Sequence, residues 1–177
     1  MERVAWHEAG HAFMYWKNGN VPAYLTIVAR GDHGGYMEHS DEEYAAPIKS
    51  RAEILENIRV ALAGRAAEIV RFGPEAGVST GASGDLQSAT RNARNMLCVY
   101  GMDDDLGMVY IDKETASNGE MAMLIHRKVS GILKEQLAQT VDLLTAERPR
   151  MERLVNLLLE KNSLTGEEID AALKKEN

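Results

Sequence analysis

Two histidines four residues apart, His7 and His11, constrain this chain most strongly, because they can act together only if their segment is a helix. They lie in the segment VAWHEAGHA, residues 4–12, where Glu8 directly follows the first histidine. Val4, His7, His11 and Met14 recur at steps of three and four, and Gly19 follows as a stop signal. The pattern predicts a helix over residues 3–17 that projects both imidazoles from one face.

Two imidazoles on one helical face can converge on a single metal ion. Glu8 would flank that ion, since neighbouring residues on a helix are rotated by about 100°. Its carboxylate could then take a proton from an activated water as that water attacks a peptide carbonyl. The H-E-x-x-H spacing therefore favours a zinc-dependent peptidase. The alternative is an ordinary helix with two unrelated histidines, and zinc needs at least one more protein ligand.

Sequence reasoning leaves the third ligand open. The extended pattern H-E-x-x-H-x-x-G-x-x-H is absent, because Met14 and Lys17 occupy its glycine and third-histidine positions. Several other groups are candidates that could equally be solvated side chains: Glu53, Glu56, Glu68, His33 and His39. Asp85 is the better candidate, since four small residues precede it and the dipole of a following helix would stabilise its carboxylate. Spacing alone does not separate a ligand role for Asp85 from simple stabilisation of that helix.

Length, charge and cysteine content narrow the class of protein. The chain has 177 residues, of which 45% are apolar, and this predicts one globular domain. A formal net charge of −7 argues against nucleic acid as the main partner. The single cysteine, Cys98, excludes an intrachain disulfide and is expected to be a core residue. No run of 18 apolar residues and no signal-peptide pattern is present, so the chain as given is expected to be a soluble domain.

The expected fold is mainly α (α+β), with one small hairpin and a C-terminal helical part. Strands are predicted at 24–29 and 36–39, separated by the turn RGDHGG. Helices are predicted over 50–72 after a Ser50–Glu53 capping box, from a Ser83 cap to Tyr100, and over 119–146 and 150–161. A Thr165–Glu168 capping box predicts a short final helix. We expect residues 1–118 to form the core and 119–177 the C-terminal part of the same domain.

Three motifs in this order resemble the FtsH-type ATP-dependent zinc metalloproteases. They are HEAGHA at residues 7–12, GRAAE at 64–68 and STGASGDL at 79–86. Tyr100-Gly101-Met102 and the segment LTGEEI at 164–169 look similar as well, so the resemblance runs from about residue 3 to 170. It implies one Zn²⁺ per chain held by His7, His11 and Asp85, with Glu8 as the catalytic base. It also implies a helical protease fold and a ring of six subunits.

Other parts of that family are missing from this sequence. Family members carry an ATPase module and usually transmembrane helices ahead of the protease domain, whereas this chain has no G-x-x-x-x-G-K-[ST] motif. Because the helical pattern is already running at Val4, we expect the chain to be a fragment of a longer protein. The resemblance implies that this longer protein is membrane-anchored, with the present domain in the cytoplasm.

The predicted function is hydrolysis of peptide bonds in unfolded polypeptides delivered by an ATPase module. Two alternatives are a free-standing peptidase without an ATPase and an inactive protease-like module kept for assembly. The stretch Gly35, Tyr36, Met37 is a candidate strand edge to which an extended substrate could add through main-chain hydrogen bonds. It could equally be an ordinary hairpin strand.

Overall fold

A computed structural model describes residues 1–29, 35–38 and 48–174. The fold is mainly helical with one small sheet, in agreement with the predicted class. In chain order its elements are α1 Glu2–Lys17, β1 Tyr24–Thr26, β2 Tyr36–Glu38, α2 Arg51–Ala76, α3 Ser83–Cys98, α4 Gly119–Ala146, α5 Arg148–Lys161, β3 Ser163–Thr165 and α6 Gly166–Lys174. Within those ranges, no helix combines the length and the apolar character that a membrane span requires.

Helices α1 and α2 pack closely and run in opposite directions. Small residues make this approach possible, since a Cβ atom added at Gly10 would overlap the backbone of Ala63 and lie 2.7 Å from the Cβ of Ala67. The capping box predicted at the start of α2 is present, with Ser50 accepting from the backbone of Glu53. The helix was predicted to end at residue 72. The regular helix does break there, because Gly73 has non-helical backbone angles with a φ of 85° that favours glycine, and a further helical turn carries α2 on to Ala76.

The start of α3 differs from the prediction. Ser83 does not cap this helix; Ala82 holds the N-cap position without a side-chain hydrogen bond. A short 3₁₀ turn, Thr80–Ala82, leads directly into α3, and Ser79 caps that turn by accepting from the backbone N–H of Gly81. The extra turn moves the capping role four residues upstream, a shift that composition alone does not reveal.

The predicted hairpin is present as an antiparallel pair of β1 and β2, with Leu25 opposite Met37. The first strand ends at Thr26 rather than at residue 29, because the Thr26 hydroxyl accepts from the N–H of Val28 and turns the chain. A third strand, β3, was not predicted. It pairs with the other side of β1, so the strand order is β2-β1-β3. The capping box predicted at Thr165 and Glu168 is present in the contacts around the start of α6.

Among the described residues, two buried apolar clusters support this arrangement. One joins α1 and β1 to α5, β3 and α6, and includes Phe13, Leu25 and Leu158. The other joins α2 and α3 to the first half of α4, and includes Ile58, Leu97 and the buried Cys98. Each cluster takes residues from both sides of position 118. The division at 118 stays a prediction, and these clusters show that both parts contribute to the same core.

Candidate metal centre

His7, His11 and Asp85 come together where α1 faces the start of α3. The Nε2 atoms of the two histidines are 3.2 Å apart. The Asp85 Oδ2 atom lies 3.0 Å from Nε2 of His7 and 3.4 Å from Nε2 of His11. Atoms that bind a tetrahedral zinc ion at ordinary bond lengths lie roughly 3.4 Å from one another. The three side chains thus have a separation and a donor chemistry that suit a zinc ion.

The far side of each imidazole is held by an acceptor on α2. Nδ1–H of His11 donates to the carbonyl of Val60 over 2.8 Å, and Nδ1–H of His7 donates to Oε1 of Glu68 over 2.9 Å. A neutral imidazole with its proton on Nδ1 presents a lone pair on Nε2. When neutral, both rings are therefore held in the tautomer and orientation that a metal ligand needs.

Burial and charge at this site favour a cation between the three groups. Burial of His7 would by itself lower its pKa, but hydrogen bonds with Asp85 and Glu68 outweigh burial and raise the pKa to about 9. Burial of Asp85 would raise its pKa, whereas contacts with His11 and His7 hold that pKa well below its usual range. Positive charge is thus stabilised at the same place where the Nε2 and Oδ2 atoms converge.

Glu68 was one of several candidates for the third ligand, and it lies behind His7 instead of beside Asp85. Its side chain is buried and accepts from three donors: Nη1 of Arg3 at 2.6 Å, Nδ1 of His7 at 2.9 Å and Oγ of Ser79 at 3.0 Å. Burial opposes ionisation of this carboxyl group, yet these donors lower its pKa. Glu68 therefore supports His7 as a buried, ionised hydrogen-bond acceptor.

The other sequence candidates lie elsewhere or outside the described residues. Glu53 forms the capping box with Ser50 at the start of α2, where its carboxylate accepts from the backbone N–H of Ser50. His33 and His39 fall outside the ranges that the structure describes. Among the described residues, the metal-ligating side chains that converge are those of His7, His11 and Asp85.

Gly64 leaves the space that the two imidazoles occupy. A Cβ atom added there would lie 2.5 Å from Nε2 of His7 and 2.6 Å from Nε2 of His11. Sequence reasoning attached no role to this glycine, to Val60 or to Ser79. The GRAAE motif that contains Gly64 and Glu68 was visible in the sequence, but helical periodicity does not tell which face of α2 meets the histidines.

Glu8 and strand β2 border the same open cleft as the three converging side chains. Gly35 brings the start of β2 against α1, because a Cβ atom at this position would lie 2.9 Å from Cγ of Glu8 and 2.7 Å from the carbonyl oxygen of Thr26. Tyr36 and Met37 line the cleft beyond it. The three converging side chains, Glu8 and strand β2 thus lie along one cleft, with β2 on the Glu8 side.

Comparison with known proteins gives the family. The chain matches the model of peptidase family M41 over residues 1–172. It is 33% identical over 190 residues to the ATP-dependent zinc metalloprotease FtsH of Synechococcus sp., which covers 97% of this chain and 29% of that protein. It is also 33% identical over 189 residues to the protein of the same name from Thermotoga maritima, covering 98% of this chain and 30% of the relative. The chain thus spans less than a third of the length of these relatives.

Proposed function

The chain belongs to peptidase family M41, and from this premise we propose that it is a zinc-dependent endopeptidase domain that hydrolyses peptide bonds in unfolded polypeptides. The observation that carries the proposal is the convergence of His7, His11 and Asp85 beside Glu8 in one cleft. We assign the first three residues as the ligands of one Zn²⁺ per chain and Glu8 as the catalytic base.

The donor set supports zinc over the harder cations. Two imidazole nitrogens and one carboxylate oxygen match the ligands that catalytic zinc takes from proteins, whereas Mg²⁺ and Ca²⁺ prefer oxygen ligands. Three protein ligands also leave a fourth position for water or substrate. When bound, zinc would polarise a water molecule and a substrate carbonyl, and lower the pKa of that water to about 7.

Glu8 supplies the proton transfer that peptide hydrolysis requires. Its carboxylate takes the proton of the attacking water as the water oxygen bonds to the carbonyl carbon. The same carboxyl group then gives this proton to the amine nitrogen as the carbon–nitrogen bond breaks. Position 8 suits this role because α1 presents its side chain to the cleft that also contains His7 and His11.

Strand β2 is the proposed substrate-binding element, through Gly35, Tyr36 and Met37. In the described sheet it is an outer strand, paired with β1, and it lines the cleft beside Glu8. An extended polypeptide that adds to such a strand is held through its main chain, which tolerates many side-chain sequences. This mode of binding fits an enzyme that cuts unfolded chains of varied sequence.

The relatives are much longer than this chain, so we also propose which further parts of the protein work with this domain. The relatives are named ATP-dependent, and this sequence lacks a G-x-x-x-x-G-K-[ST] motif. We propose that an ATPase module delivers unfolded substrate to this domain, that the working assembly is a ring of six, and that the whole protein is anchored in a membrane with this domain in the cytoplasm. The solution mass of the chain tests whether this domain contributes to assembly by itself.

The proposed chemistry is tested by zinc content and casein cleavage for the parent chain, Glu8→Gln and Asp85→Asn. We expect the parent to bind about one zinc ion and to cleave casein, which presents unfolded polypeptide. Glu8→Gln should retain zinc and lose about 10²- to 10⁴-fold in activity, because only the base is removed. Asp85→Asn should bind zinc more weakly, since a neutral amide replaces an anionic ligand.

Two results would contradict the proposal. A parent chain that binds no zinc after reconstitution would exclude the zinc site. A Glu8→Gln variant that cleaves as fast as the parent would exclude Glu8 as the base. An inactive module kept for assembly would bind zinc without cleaving casein, so the same pair of measurements separates it from the enzyme.

A further inference from the structure

Asp85 reaches the metal centre from a different element than the histidines, so its position depends on the segment ahead of it. We call residues 78–84 the arm; it runs from the end of α2 to the first turn of α3. Most of the arm is exposed, and Ala82 is the arm residue whose side chain is buried. The body of α3 is anchored by its buried residues, such as Ala89 and Ala93. Apolar packing holds the arm itself only weakly, so polar contacts of the arm help to fix the first turn of α3, which carries Asp85.

Ser79 links the arm to the support of His7. Its hydroxyl donates to Oε1 of Glu68 over 3.0 Å, the same oxygen that accepts from Nδ1 of His7. The hydroxyl oxygen also accepts from the N–H of Gly81 at 3.3 Å. One side chain thus connects the turn that leads into α3 with the carboxylate that orients a histidine on α1.

Arg65 binds the backbone carbonyl group of Ser79. Its Nη2 atom donates to the carbonyl oxygen of Ser79 over 3.1 Å. In the described part of the chain, Nε of Arg65 is buried without a hydrogen-bond partner. The guanidinium is therefore enclosed by protein at Nε, which limits the directions in which Nη2 can donate. Arg65 and Glu68 lie one turn apart on α2. Arg65 binds the carbonyl of Ser79, and Glu68 binds its hydroxyl.

We propose that Ser79, through its hydrogen bonds with Glu68 and Arg65, is a positioning residue that keeps Asp85 close to His7 and His11. This inference rests on the proposed zinc site. The loss of the Ser79 hydroxyl would remove one of the two hydrogen bonds described above between Ser79 and α2, and one of three donors from Glu68. The third ligand and the orientation of His7 would loosen together, and zinc affinity would fall.

A purely local role for Ser79 makes a different prediction. If its hydroxyl serves only as the cap of the Thr80–Ala82 turn, its loss would lower the stability of the metal-free chain and leave the zinc dissociation constant nearly unchanged. Zinc affinity, measured by competition with a chelator, therefore separates positioning from capping. The melting temperature of the metal-free protein is the accompanying measurement of stability.

The experiment compares Ser79→Ala with two matched variants. Ser79→Thr retains a hydroxyl, and a β-branched residue suits the extended backbone at this position, with φ −111° and ψ 169°. Ser83→Ala also removes a serine hydroxyl from the arm, but at an exposed position that takes no part in the hydrogen bonds of Ser79. We expect Ser79→Ala to weaken zinc binding about 10- to 100-fold, as is typical when a group that supports a metal ligand is lost. The other two variants should bind zinc like the parent.

Two outcomes overturn the positioning role on its own: Ser79→Ala binds zinc as tightly as Ser83→Ala, or Ser79→Thr binds as weakly as Ser79→Ala. If Ser79→Ala does not fold, Arg65→Met decides, because it releases the carbonyl of Ser79 and leaves the hydroxyl in place. Parent-like affinity in Arg65→Met would then overturn the proposal. A parent chain that binds no zinc would overturn the proposed function and, with it, this inference.

Discussion

At the scale of single residues, the metal centre depends on a small residue in the facing helix as much as on the side chains that can bind a metal. His7 and His11 lie one helical turn apart, but their rings can face Asp85 only because Gly64 has no side chain on the facing helix. Val60 and Glu68 then fix the rings from the opposite side. Four residues with no metal-binding role of their own, counting Ser79, therefore shape the site.

Gly64→Ala should abolish zinc binding and activity. The added methyl group would lie 2.5 Å from a ring atom of His7 and 2.6 Å from one of His11, so both rings would have to move. A matched control is Gly131→Ala in α4, where an added Cβ atom meets no atom within 4 Å. That variant should bind zinc normally and gain about 0.5–1 kcal/mol in free energy of unfolding, since alanine is favoured in a helix. Parent-like zinc binding by Gly64→Ala would contradict the packing argument.

At the scale of elements, the small sheet connects the two ends of the chain to the cleft. Strand β1 lies between β2, which lines the cleft, and β3, which follows α5. Because β3 pairs with β1, the C-terminal part of the chain supports the strand against which β2 is placed. The proposed substrate-binding strand is thus held by pairing with β1 and by the contact of Gly35 with α1.

Met37→Pro should reduce peptide cleavage and leave zinc bound. Proline has no N–H, so the variant would lose the main-chain hydrogen bond that residue 37 would donate to a substrate strand added at the open edge of β2. The expected loss in cleavage is about tenfold, which corresponds to about 1.4 kcal/mol. Met37→Leu retains the N–H and a similar volume, and should cleave like the parent. Cleavage of a short peptide and zinc content are measured for both variants, and normal cleavage by Met37→Pro would exclude β2 as the substrate strand.

At the scale of the whole molecule, the metal centre is assembled on a core that extends through most of the chain. Helix α1 carries both histidines and packs on a cluster that includes residues of α5, β3 and α6. Helix α3 carries Asp85 and belongs to a second cluster shared with α2 and α4. Since α2 contributes Ala67 to the first cluster and Ile58 to the second, we expect unfolding to occur as one transition.

Leu158→Ala should destabilise the entire chain, although Leu158 is far along the sequence from the metal centre. Its side chain is fully buried in the cluster under α1. Such a truncation costs about 2–5 kcal/mol, or about 4–20 °C in melting temperature at this chain length. Met108→Ala is the control, because Met108 is 96% exposed and its loss should cost less than about 0.5 kcal/mol. Calorimetry that resolves two transitions, only one of them shifted by Leu158→Ala, would contradict a single cooperative core.

Local patterns in the sequence determined the helices, the capping boxes at Ser50 and Thr165 and the pairing of two histidines on α1, because each depends on residues only a few positions apart. The resemblance to a known family then suggested Asp85, which spacing had left open. Only the tertiary structure decided that Asp85 meets the histidines 74 or more positions away, that Glu68 lies behind His7 and that β3 completes the sheet. Those contacts join separate elements, and their geometry depends on how the helices pack across the whole core, which no short stretch of sequence specifies.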